Sequence, residues 1–214
     1  MVSSVVDTCE VWLWGHQVGA AYWDPKQQLA VFEYAPGFRK SGIELAPLMM
    51  PLGSRIFRFP ELRRSSFHGL PGLLADSLPD DFGNAIIDQW LIREGRDKQS
   101  FSPVERLCYI GRRGMGALEF RPSIRSTTRG SVPVDINALT ELAQHVLDLR
   151  EGLKVRVTAD EKDYTRALDD ILRVGTSAGG ARAKAVIAWN PKSGEMRSGQ
   201  VSAPPGFQYW LLKF

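Results

Sequence analysis

The sequence predicts an α+β fold in two units. Three observations carry that expectation. The first third consists of short runs of alternating apolar and polar residues broken by turn residues. Two amphipathic helical periods follow beyond residue 132. The chain then returns, through a glycine-rich turn, to strand-like runs. The polar stretch "RPSIRSTTRGSVP", Arg121 to Pro133, marks the boundary. Residues 1–125 should therefore form a mostly antiparallel β subdomain with packed helices. Residues 132–214 should form helices and the opening strands of a second unit.

The elements follow in order. "CEVWLWG" and "QVGAAYW" flank Gly15-His16, which predicts a hairpin turn there. "DPKQ" is a second turn, with Pro25 suited to its second position. "LAVFEYA" is a third strand, so Cys9–Ala35 reads as an antiparallel meander. Residues 36–72 are rich in Pro, Gly and short apolar pieces and read mostly as loop. "LPDDFGNAIIDQWLIREG" reads as a helix. Asp80 and Asp81 suit its positive N-terminal end, and Phe82, Ile86 and Trp90 recur along one face. Gly95 is placed to stop it. "MGALEFRP" is one more short strand.

Beyond the boundary, Asp135 caps a helix whose apolar face is Ile136, Leu139, Leu142, Ala143, Val146 and Leu149. "TADE", Thr158 to Glu161, announces a second, with Tyr164, Leu168, Ile171 and Leu172 inward and Gly175 at its end. The strand "KAVIAW", the turn "NPKSGEM", a loop and the strand "YWLLKF" complete the chain.

Composition excludes several classes. The net charge of +3 is too small to imply nucleic acid by itself. The apolar runs fall short of the roughly 18 residues of a membrane span, and the N-terminus lacks a secretory pattern. A cytoplasmic protein with Cys9 and Cys108 reduced is expected. His16, His68 and His145 stand far apart, outside any zinc-binding spacing. Ser65, Ser66 and Ser102 lack a nucleophile elbow. Arg112, Arg113, Arg121, Arg125 and Arg129 make a local basic patch that reads first as solvated surface. Trp12 and Trp14 alternate with Val11 and Leu13, so one face of that strand is open to a partner.

The glycine stretch "GTSAGGARAKAVIAW", Gly175 to Trp189, admits two readings: a tight hairpin with a solvated lysine, or a phosphate cradle. Adjacent Gly179 and Gly180 let backbone N–H groups wrap an anion, and Lys184 follows. A strand, not a helix, comes next, so this is not a Walker loop. A phosphate held here would lie under a hairpin, as in kinases, and that arrangement needs a second lysine on a later strand. Lys213, between apolar neighbours in "WLLKF", is placed to be it.

Five segments in order, "VWLWGHQVGAAYW", "LLADSLPDDFGNAIIDQWL", "IGRRGMGALEF", "TSAGGARAKAVIAW" and "YWLLKF", resemble the N-terminal half of the HipA-like serine/threonine kinases, toxins of bacterial toxin–antitoxin pairs. The resemblance spans nearly the whole chain and assigns residues 132–214 to the start of a kinase small lobe. It implies ATP with Mg²⁺ as cofactor. Ser177 matches the serine whose autophosphorylation ejects the loop. Ala178, Gly179, Gly180, Ala181 and Arg182 match the backbone over the nucleotide, although some relatives carry glutamine where Arg182 stands. Lys213 matches the lysine on the phosphates. The implied partners are a helix-turn-helix antitoxin of the HipB type, DNA through that antitoxin, and a protein substrate such as an aminoacyl-tRNA synthetase, with no membrane. The family's catalytic Asp–Asn loop and metal-binding Asp lie beyond position 214, so no catalytic residue is assigned here and no phosphate transfer is expected from these residues alone. Asp81-Phe82-Gly83 spells the kinase metal-binding tripeptide but precedes the glycine loop, and reads as a helix start. The competing reading is a non-catalytic binding module or split subunit. A lobe fragment should leave the strand of Lys213 as an apolar edge, whereas a self-contained module should not.

Overall fold

The structure, a computed structural model, describes residues 6–114, 116–122, 137, 140–141, 184–199 and 202–213. It combines antiparallel sheets with short helices, the α+β class expected. The chain divides into two compact units, Met1–Leu78 with Gln99–Ser126, and Pro79–Lys98 with Thr127–Phe214.

In the first unit, β1 (Thr8–Leu13), β2 (His16–Asp24), β3 (Leu29–Tyr34) and β4 (Leu118–Arg121) form one antiparallel sheet in the order β3-β2-β1-β4. The alternation read in the sequence sets the register. Cys9, Val11 and Leu13 point inward and are buried. Val11 pairs with Gly19 but Trp12 pairs with Gln17, so Val18 bulges from the ladder. The β1–β2 turn is one residue earlier than the sequence reading placed it. Its central residues are Trp14 (φ 49°) and Gly15 (φ 82°), because a two-residue turn matched to the strand twist needs positive φ at both. The second turn is held by Asp24, whose carboxylate accepts from the N–H groups of Lys26 and Gln27.

Two short helices, α1 (Arg64–Phe67) and α2 (Gly72–Ala75), interrupt the long connection after β3. A further helix, α4 (Pro103–Ile110), packs on β1 and was not anticipated. Its signal was present: Ser102 Oγ accepts the Glu105 N–H at 3.0 Å, with Pro103 in the first turn. Ser102 is thus a cap. The core gathers Phe32, Tyr34, Phe57, Leu70, Leu74, Leu107 and Phe120. The Phe32 and Tyr34 rings meet edge to face at 5.0 Å, and Tyr34 donates to the Met50 carbonyl at 2.8 Å. Burial, then the charge of Glu44, raises the Tyr34 phenol above its ordinary pKa.

In the second unit, α3 (Asp81–Arg93) begins at Asp80, whose carboxylate accepts the Gly83 N–H at 2.8 Å. The Asp81-Phe82-Gly83 tripeptide is therefore the first turn of a capped helix. Ile86, Ile87, Trp90 and Leu91 are buried, and Gly95 follows the helix at φ 69°. The Phe82 side chain lies outside the described residues. So do the two helices expected after residue 132, apart from Asn137, Thr140 and Glu141, which are helical and exposed. Strands β5 (Lys184–Trp189), β6 (Met196–Ser198) and β7 (Gln208–Lys213) form an antiparallel sheet in the order β6-β5-β7. The sequence reading had left β6 within a loop. A turn held by the Asn190 side chain returns the chain to pair it with β5.

Candidate functional site

The β5–β7 register brings two of the expected site residues together. Lys184 opens β5 and Lys213 closes β7, and the two are direct partners across the ladder. Residues directly opposite in an antiparallel pair share a face, with Cβ atoms about 5 Å apart. Lys184 is half-buried and Lys213 exposed, and neither has a carboxylate partner among the described residues. Two like charges so placed destabilise a sheet by roughly 0.2–1 kcal/mol. An anion lying between them would reverse the sign of that contribution.

Period-2 alternation continues this face away from the lysines. Val186 opposite Leu211, then Ala188 opposite Tyr209, make an apolar strip. Leu211 and Tyr209 are exposed, and the Tyr209 hydroxyl accepts the Ala203 N–H at 2.8 Å. The face is cationic at one end and flat and apolar along the rest, an arrangement suited to a phosphate ester of an aromatic base. The strip was not anticipated, although alternation in "AVIAW" and "YWLLK" would have placed it. On the opposite face Trp189 and Trp210 meet edge to face at 6.2 Å. Among the described residues β7 is one edge of the sheet, and it exposes Tyr209, Trp210 and Leu211, as anticipated for the strand of Lys213. Ser177, Ala178, Gly179, Gly180, Ala181 and Arg182 lie outside the described residues.

The described arginines of the basic patch have partners, and Arg125 and Arg129 lie outside the described residues. Arg113 is buried, donates to the carbonyls of Ile110 and Tyr109, and lies over the Tyr109 ring. It is therefore not the solvated cation the sequence reading made it. Arg112 and Arg121 do lie at the surface, both paired with Glu119, and Arg121 also stacks on Trp12 at 3.8 Å. Trp14 remains open, 73% exposed. His16 and His68 are exposed, and His145 lies outside the described residues. No cluster of three metal-ligating side chains occurs among the described residues, and no helix there is long and apolar enough to cross a membrane.

Cys9 and Cys108 are free thiols, both fully buried in the core of the first unit. The neighbouring Cys108 thiol, and then burial, hold the Cys9 thiol well above its ordinary pKa. Neither cysteine should react with a disulfide reagent in the native protein, and both should react on denaturation. Fast labelling of the folded chain would contradict this burial.

Comparison with known proteins gives one family. A search of curated proteins finds no match. The model of the HipA N-terminal domain matches residues 9–121, which run from the buried Cys9 of β1 to the last residue of β4 and exceed half of the 214 residues. The chain therefore belongs to the HipA N-terminal domain family.

Proposed function

We propose that this chain is the N-terminal portion of a HipA-like serine/threonine protein kinase of a toxin–antitoxin system. It contributes the antitoxin-facing subdomain and the phosphate grip for ATP. The observation that carries the nucleotide part is the pairing of Lys184 with Lys213 at the end of β5 that the glycine stretch enters. A hairpin formed by Ala178 to Arg182 would close over phosphates gripped by the two ammonium groups. The apolar strip of Val186, Leu211 and Tyr209 would take the base. Mg²⁺ would arrive with the nucleotide, and no carboxylate of this chain is assigned to it. Ser177 is the expected autophosphorylation site. The substrate would be a protein hydroxyl, and the partner a DNA-bound helix-turn-helix antitoxin, in the cytoplasm. The exposed apolar edge of β7 favours this reading over a self-contained binding module.

Titration with a fluorescent ATP analogue tests it. The wild-type chain should bind saturably. Lys213→Ala and Lys184→Ala should each weaken binding about tenfold, as expected for loss of one charge-assisted contact. Both lysines lie at strand ends and neither is fully buried, so the fold should be retained. Absence of saturable binding, or unchanged affinity in the double variant, would overturn the proposal.

A further inference from the structure

The connection between β3 and α2 combines a basic sequence with exposed apolar side chains. Residues 36–72 carry Arg39, Lys40, Arg55, Arg58, Arg63 and Arg64 against only Glu44 and Glu61, a net charge of +4 where the whole chain has +3. The same segment exposes Ile43, Leu48, Met49 and Ile56, with Leu48 at 93% and Met49 at 58%. Monomeric surfaces seldom group large apolar side chains in this way without a partner to cover them.

Of these side chains, Met49 lines a cavity of about 370 Å³, and Leu48 adjoins it in sequence. Its lining side chains are apolar, chiefly those of Leu45, Met49, Met50, Phe59, Leu62 and Phe67. Methionine gives such a wall adaptable shape, because its unbranched side chain repacks at low cost. The rim is charged. Arg58 and Arg63 adjoin the wall residues Phe59 and Leu62 in sequence and are exposed, and their guanidinium groups have no ion-pair or hydrogen-bond partner among the described residues. The other charges nearby are engaged or outnumbered. Arg64 donates to the Gln27 carbonyl, Arg55 lies over the Phe57 ring, and the Glu44 carboxylate accepts the Leu52 N–H. Glu61 is a single carboxylate between two arginines.

We infer that this groove docks an acidic amphipathic segment of a partner protein. A bulky apolar side chain of that segment would enter the cavity, and its carboxylates would meet Arg58 and Arg63. The apolar floor supplies the anchor, and the cationic rim selects for sign and speeds encounter. The site is built wholly from the first unit and is independent of the nucleotide reading.

The test uses the full chain and a fluorescein-labelled amphipathic peptide with leucine and tryptophan on one face and glutamate on the other. Fluorescence anisotropy should show saturable binding that weakens as salt is raised. A peptide with lysine in place of glutamate should bind at least about tenfold more weakly. Met49→Glu should abolish binding of the acidic peptide, and R58E/R63E should invert the preference between the two peptides. Met49 is exposed, so the circular dichroism spectrum and melting temperature should not move; Leu48→Asp is the second probe should they do so. Equal binding of both peptides, no saturable binding, or binding indifferent to both Met49→Glu and Leu48→Asp would overturn the inference. So would sedimentation of the wild-type chain as a dimer that Met49→Glu dissociates, since the face would then be covered by a second copy.

Discussion

Replacing Phe32 with alanine is expected to remove about 3–5 kcal/mol of stability, the usual cost of deleting a fully buried aromatic side chain. Phe32 has no exposed surface, and its ring contacts Tyr34 edge to face at 5.0 Å and Phe57 at 6.5 Å. It also joins two segments through the backbone. Its N–H donates to the Phe57 carbonyl at 2.9 Å, and the Phe57 N–H returns to its carbonyl at 2.8 Å. Those two bonds survive the substitution, so the loss should report the ring alone. A domain typically has about 5–15 kcal/mol in total. The variant should therefore unfold at much lower urea, with a melting temperature lower by on the order of 10 °C. A loss below about 1 kcal/mol would mean that the ring is not packed as described.

Gly19→Ala should be comparably severe, for a different reason. Gly19 needs space rather than a special backbone angle. A Cβ built on it would overlap the Glu33 carbonyl oxygen and stand 2.7 Å from the Phe32 ring. Both belong to β3, which is fixed to β2 by the pairs Gly19–Tyr34 and Ala20–Glu33. Relief of the oxygen contact requires the strands to part. We expect a loss of about 3 kcal/mol, the upper end of overpacking costs. Because the added methyl meets the Phe32 ring, the double variant G19A/F32A should lose less than the sum of the two single losses. Strict additivity, measured by urea denaturation of the four chains, would show that the methyl and the ring do not meet.

The meander was legible because burial on one side writes a period of two into the sequence, and Cys9, Val11, Leu13, Phe32 and Tyr34 all lie on the buried side. The α3 boundaries were legible because Asp80 and Gly95 are residues that helix ends select chemically. The first hairpin was displaced by one residue because tryptophan seldom takes positive φ, so nothing local marked Trp14 as a turn residue. Helix α4 was passed over because its eight residues make little more than two turns, too short a run for a 3.6-residue period to stand out. Strand β6 has only three residues, too few to carry a pattern.

For the site, Lys184 and Lys213 were each legible as lysines at strand ends, and the resemblance supplied a reason to pair them. That they are direct partners across one ladder is a matter of register, set by the whole β5–β7 pairing from Lys184–Lys213 to Trp189–Gln208. The sequence by itself determined the α+β class, the meander, the cap of α3 and the family to which the chain is assigned, because those depend on local chemistry and short-range period. Only the tertiary structure decided that Arg113 is buried, that Cys9 and Cys108 adjoin, that Gly19 has no room for a methyl, and that Leu45 to Phe67 enclose an apolar groove. Each depends on which distant segments share a volume, and close packing fixes that only when the chain has folded.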